Sequence, residues 1–204
     1  MKLVGMLDSP FVRRVAVTMQ FLGVDYAHVN QSVVAGYDDF RKINPLAKSP
    51  TLICDDGEML VDSTLIIDYV ESLSGRSLMP QSINDRRRAL QLIGVALAAN
   101  EKCVQRIYEV DMRPEERRHE PWMSRITQQL NEALDWLETE VAGSGETSWL
   151  FGNEISQADV TVAVAWRFAK LRAPNQVRPG NRPALVAFGR RAEALPEFLA
   201  CPIG

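Results

Sequence analysis

Apolar residues recur with two different periods along this chain, and the place where one gives way to the other divides it. Residues 1–7 carry Leu3, Val4, Met6 and Leu7, the apolar content of a short strand. Val12, Val15, Ala16, Met19 and Leu22 then recur at three- and four-residue spacing, which predicts an amphipathic helix that Gly23 terminates. Residues 26–30 read as a second strand and 31–36 as a loop. A short helix over 38–43 is stopped at Asn44-Pro45, because a residue before proline is pushed out of helical geometry. Residues 51–54 and 59–61 read as two strands joined by Asp55-Asp56-Gly57-Glu58, a hairpin signal. A helix over 64–73 follows, with Leu65, Ile66, Tyr69, Val70 and Leu73 placed on one face.

From residue 85 onward every periodic stretch is helical. Residues 85–111 carry Leu90, Ile93, Leu97, Val104 and Ile107, and residues 115–141 carry Trp122, Ile126, Leu130, Leu134 and Leu137 at near-heptad spacing. A loop is expected over 143–147, then a helix from 156 to about 171, and a last amphipathic helix over 182–194 before Pro196. The polar stretch 75–84, which contains Gly75 and Pro80, reads as a linker. The expected organisation is therefore an α/β domain over 1–75, a linker over 76–84 and an all-helical domain over 85–204.

Three of the predicted helix starts carry chemistry. Ser9 sits where an N-cap belongs, and Pro10 occupies the first helical position, where a missing N–H costs nothing. A hydroxyl on such a turn has two uses: it caps the helix, or it faces the positive end of the helix dipole and holds an anion. Asp62-Ser63 opens the helix after the hairpin in the same way. Ile155-Ser156-Gln157-Ala158-Asp159-Val160 has the pattern of a capping box, in which Ser156 accepts from the amide of Asp159 and the carboxylate reaches back, with Ile155 and Val160 as a hydrophobic staple.

Bulk properties exclude several classes. At 204 residues, with 46% hydrophobic and 24% charged residues, the composition is that of a globular protein. A net charge of −3 and a pI near 5.5 provide no field for collecting phosphates, so nucleic acid is not an expected partner. No apolar run approaches the length of a transmembrane helix, and the charges at Asp8, Arg13 and Arg14 are wrong for a signal peptide; a membrane partner is not expected. Cys54, Cys103 and Cys201 are odd in number and widely spaced, which points to a reducing, cytoplasmic compartment. With only His28 and His119 as imidazoles, no metal site is expected. Arg86-Arg87-Arg88 splay over roughly 200° of a helix and form no single patch.

Ser9-Pro10-Phe11, Asn44-Pro45-Leu46 with Lys48-Ser49-Pro50-Thr51-Leu52, and Asp62-Ser63, in this order and ahead of an all-helical remainder, resemble the cytosolic glutathione transferases. The resemblance covers essentially the whole chain and is closest to bacterial members with Ser or Cys at the activating position. It implies a thioredoxin-like first domain, a helical-bundle second domain, and glutathione as co-substrate. Ser9 would be catalytic, donating to the glutathione thiolate. Phe11 would wall the site, Lys48 would pair with the glycine carboxylate, and Asp62 with Ser63 would hold the γ-glutamyl end. Ser49 would present its backbone to the cysteine of glutathione ahead of a cis Pro50. The family more often has Val or Ile at that position, so Ser49 departs from the pattern. Asn100, Gln105, Tyr108 and Trp166 would line the site of a small electrophilic second substrate. A homodimer is also implied. The activity expected is conjugation, addition or peroxide reduction. A non-catalytic ligand- or protein-binding module and a glutathione-dependent isomerase are the alternatives.

Overall fold

The computed structural model describes residues 1–145 and 148–203; the last two positions of the loop predicted over 143–147 lie outside the described residues. The chain forms two compact units, one made of residues 1–78 with the segment from 194 onward, the other of residues 79–193.

In the first unit, β1 (Lys2–Val4), β2 (Ala27–Val29), β3 (Thr51–Ile53) and β4 (Met59–Val61) form a sheet in the order β2-β1-β3-β4. β1 runs parallel to β2, with Leu3 opposite His28, and antiparallel to β3, with Leu3 also opposite Leu52. A parallel pair needs a crossover, and α1 (Pro10–Leu22) supplies it. α2 (Tyr37–Ile43) and α3 (Ser63–Ser74) complete the α/β unit. Val12, Val15, Ala16 and Met19 are fully buried, as the periodicity predicts, and Gly23 adopts φ 69° to close α1.

One expectation fails in this unit, and two buried arginines were not foreseen. Arg13 and Arg14 occupy what periodicity makes the polar side of α1, yet both are buried, because α1 is covered on more than one side. In α3 the five apolar residues do not share a face. Ile66 and Val70 point inward together with Ile67, while Leu65, Tyr69 and Leu73, spaced four apart, form an apolar stripe on the exposed side.

The second unit packs α4 (Ile83–Ile107), α5 (Glu120–Gly143) and α6 (Gln157–Arg172) together, with a short α7 (Pro174–Val177) and with α8 (Pro183–Glu193) against α5 and α6. Leu92, Ala96, Ile126, Leu130, Leu134 and Leu137 are fully buried, whereas Leu90 and Trp122 are turned outward. The expected extension of α4 to residue 111 is instead a π turn over Tyr108–Met112. Nor does α5 start at residue 115: Pro121 is tolerated only in a first turn and sets the start at Glu120. The intervening loop is held by the buried Glu109 carboxylate, which accepts from the His119 amide at 3.0 Å and pairs with Arg113 at 2.9 Å. The capping box is present as expected. The Ser156 hydroxyl accepts from the Asp159 amide, and the Asp159 carboxylate accepts from the Ser156 amide and also from the Leu150 amide at 2.8 Å. The segment after α8, grouped with the helical part in the sequence reading, packs instead on α1 through α9 (Pro196–Leu199).

Candidate functional site

Two helix N-termini and one loop of the first unit carry the residues predicted for glutathione. Ser9 is the N-cap of α1 at φ −71° and ψ 125°, and its side chain makes no capping hydrogen bond. The serines that cap α4 and α6 behave differently: Ser82 accepts from the Asp85 amide at 3.1 Å and Ser156 from the Asp159 amide at 3.4 Å. The Ser9 hydroxyl is therefore positioned at a helix start without being committed to that helix. Phe11, two residues on, is half-buried.

Asp62 and Ser63 open α3. Asp62 is exposed and adopts φ 72°, a conformation that costs a residue with a side chain about 1–3 kcal/mol. Its carboxylate accepts from the Thr64 amide at 2.9 Å, which satisfies one of the free donors of the first turn. Ser63 is buried, and its hydroxyl accepts from Arg14 Nη1 at 2.9 Å; the same nitrogen reaches the Thr64 hydroxyl at 3.1 Å. Burial lowers the Arg14 pKa to about 10, with the charge of Asp62 opposing the shift. Helix α1 is thus tied at its second turn to the turn that opens α3. Sequence reasoning missed Arg14, because an arginine doublet on a helix is normally solvated.

The loop ahead of β3 is organised by Asn44, which the sequence marked as a helix stop and as part of a motif but not as an anchor. Asn44 is buried; its amide group donates to the Thr51 hydroxyl at 2.8 Å and to the Lys48 carbonyl at 3.3 Å, and its oxygen accepts from the Leu46 amide at 2.9 Å. The Thr51 hydroxyl also donates to the Lys48 carbonyl at 2.6 Å. This mesh leaves the Lys48 side chain exposed and delivers the Ser49–Pro50 peptide in the cis form. The Ser49 hydroxyl is buried without a hydrogen-bond partner. It lies where a Cβ on Gly5 would meet it at 2.3 Å, so Gly5, at φ 138°, has no room for a side chain.

The four residues predicted for a second substrate all lie in the other unit, and they do not share one surface. Asn100 and Trp166 are each 1% exposed. Trp166 packs against α8, where a Cβ on Gly189 would stand 2.6 Å from its ring, and the Asn100 amide has no hydrogen-bond partner on either atom. Gln105 is half-buried, and Tyr108 is exposed at the head of the π turn. Burial pushes the Cys103 thiol up to about 12 and raises that of Cys201, so neither is a nucleophile near neutral pH. Among the described residues no group of three or more His, Cys, Asp or Glu side chains gathers to hold a metal, and no helix is long and apolar enough to cross a membrane.

Family models match in two places: the glutathione S-transferase N-terminal domain over residues 3–77 and the C-terminal domain over residues 120–191. The chain belongs to the glutathione S-transferase family. Its relatives in that family include an uncharacterized GST-like protein, YibF, of Escherichia coli, 27% identical over 91% of this chain and 90% of the relative. A glutathione transferase family member from Pseudomonas fluorescens, solved with bound glutathione, is 28% identical with a TM-score of 0.85, covering 100% of this chain and 98% of that one. A maleylacetoacetate isomerase from a Methylobacterium, 24% identical with a TM-score of 0.75 over 98% and 95% of the two chains, shares the fold.

Proposed function

We propose that this transferase-family chain binds reduced glutathione on its first unit and activates the thiol for attack on a small electrophile or a peroxide. The observation that carries the reading is the Ser9 hydroxyl, held at the start of α1 and making no bond to that helix. A free thiol has a pKa of about 8.5, and the thiolate is the nucleophile. Lowering that value by about two units requires roughly 2.7 kcal/mol of preference for the anion. A hydroxyl donating to a charged acceptor contributes about 1.5–3 kcal/mol and a helix N-terminus up to about 2 kcal/mol, so the two together suffice. Ser9 needs only to donate; no base is required.

The remaining roles follow the chemistry of each group. Asp62, exposed and anionic, takes the ammonium of the γ-glutamyl end, and the Ser63 turn takes its carboxylate. Lys48, free to swing from a rigid loop, pairs with the glycine carboxylate. Phe11 walls the thiol, and Ser49 offers its peptide to the cysteine of glutathione. For the electrophile, Gln105 and Tyr108 are the two of the four candidates that reach the surface of the second unit. The exposed stripe of Leu65, Tyr69 and Leu73 supports a homodimer, since a row of apolar side chains at helical spacing buries best against a second copy.

Ultraviolet titration of the bound thiolate tests the central role. Ser9→Ala keeps the fold and binds glutathione, but the thiol pKa rises by about one to two units, the share assigned to a charge-assisted hydrogen bond. An unchanged pKa removes Ser9 from the mechanism.

A further inference from the structure

Among the described residues, 194–203 make no hydrogen bond to Ser9 or to the Asp62-Ser63 turn, yet they hold the helix that joins them. Arg13 is 2% exposed, and its cation is met by the end of the chain. Nε donates to the Cys201 carbonyl at 2.9 Å, Nη2 to the Phe198 carbonyl at 3.5 Å, and the guanidinium stands 5.6 Å from the centre of the Phe198 ring. Phe198 also meets Phe21 edge-on at 6.4 Å, and the Tyr26 hydroxyl lies 3.7 Å from Cys201 Sγ. The segment therefore grips α1 near its start, near its end and just beyond it. The Phe198 carbonyl also accepts from the Cys201 amide at 3.1 Å, so the buried cation takes the second acceptor site of that oxygen together with the Cys201 carbonyl just beyond α9.

Arg13 and Arg14 are consecutive and divide two tasks. The Arg13 amide donates to the Ser9 carbonyl at 2.9 Å and closes the first turn of α1, while its side chain is held by the segment. Arg14 reaches across to Ser63 and Thr64. A single turn of helix thus links the chain end to the residue that presents the Ser9 hydroxyl and to the one that orients the Ser63 turn.

We propose that residues 194–203 act as a strap that sets the seat of the glutathione thiol, with Arg13 as its positioning residue. This rests on the assignment of Ser9 above. The strap itself contacts no substrate. It fixes the first turn of α1, so that the hydroxyl and the helix amides stay aligned with a developing thiolate, where a small misplacement costs a large part of the stabilisation.

Phe198→Ala and Arg13→Lys test it in the full chain, the second because lysine keeps the charge but cannot fork to two carbonyls. Amide hydrogen exchange is read first, without ligand. In either variant the amides of residues 13–16 exchange about ten-fold faster while those of α4–α6 hold their wild-type rates, the mark of local rather than global loosening. The thiol pKa of bound glutathione then rises by about half a unit, with affinity changed less than about three-fold. Phe198→Leu, which restores apolar bulk, recovers part of both. If Phe198→Ala does not fold, Arg13→Lys decides. Wild-type exchange and wild-type thiol pKa in a folded variant overturn the strap while leaving Ser9 in place. Wild-type protein that binds no glutathione overturns the functional reading, and the strap's role in it, before any variant is made.

Discussion

Arg14→Met separates what a buried cation does for the fold from what it does for the site. Methionine roughly fills the volume of the arginine stem and carries no charge. A guanidinium brought from 12.5 down to about 10 is penalised by about 3 kcal/mol in the folded state, because desolvation outweighs the attraction of Asp62. Against that stand the bonds to the Ser63 and Thr64 hydroxyls, each worth about 1.5–3 kcal/mol for a charged donor. The bonds total about 3–6 kcal/mol against about 3, so the variant melts within about 3 kcal/mol of wild type, a shift below about 12 °C for a chain of this size. Glutathione binding does change, because the Ser63 hydroxyl loses the donor that orients it. A loss of about ten-fold in affinity is expected, equivalent to one hydrogen bond of about 1.4 kcal/mol. Thermal melting and calorimetric titration of the same preparation supply both numbers. A variant that unfolds, or melts more than about 15 °C lower, shows that Arg14 is a net stabiliser and refutes the balance. Unchanged affinity in a folded variant refutes the orienting role.

Two further outcomes follow from other parts of the chain. Asp159→Ala leaves the Leu150 and Ser156 amides without their buried acceptor and lowers stability by about 3 kcal/mol, or about 6–12 °C in a thermal melt; a melt within 2 °C of wild type contradicts it. Leu65→Glu combined with Leu73→Glu places charge in the exposed apolar stripe of α3 and yields monomer in size-exclusion chromatography with light scattering, where wild type runs as a dimer; a wild-type monomer, or a variant that remains dimeric, rejects that surface as the interface.

What was legible in the sequence follows from how local each signal is. The apolar spacing of α1, the hairpin over Asp55–Glu58 and the Ser156/Asp159 box are each decided within a few residues, and each is found where expected. Pro121 was equally readable as the start of α5, since the near-heptad residues begin only at Trp122 and the expected start at 115 precedes both. The strap was not legible. α9 spans four residues, too few for any period to show, and its anchor is an arginine 188 residues away along the chain. Nor does sequence spacing separate the inward row of α3 from the outward one, because both repeat every four residues. At the candidate site the residues that carry functional groups could be named from their motifs, Asn44 among the motif residues, whereas Arg14 holds the Ser63 turn through a contact across 49 residues that no local pattern reveals.

Calorimetric titration of the intact protein with reduced glutathione tests the central claim most directly, run beside Asp62→Asn. Asparagine keeps the acceptor for the Thr64 amide and tolerates positive φ better than most residues, so only the charge is removed. Wild type should bind with a dissociation constant in the micromolar-to-millimolar range, roughly −8 to −4 kcal/mol, and Asp62→Asn should bind about ten-fold or more weakly at an unchanged melting temperature. No heat from wild type, with no thermal shift at high glutathione concentration, would contradict the proposed function. Equal affinity in the two proteins would contradict the assignment of Asp62 to the γ-glutamyl end.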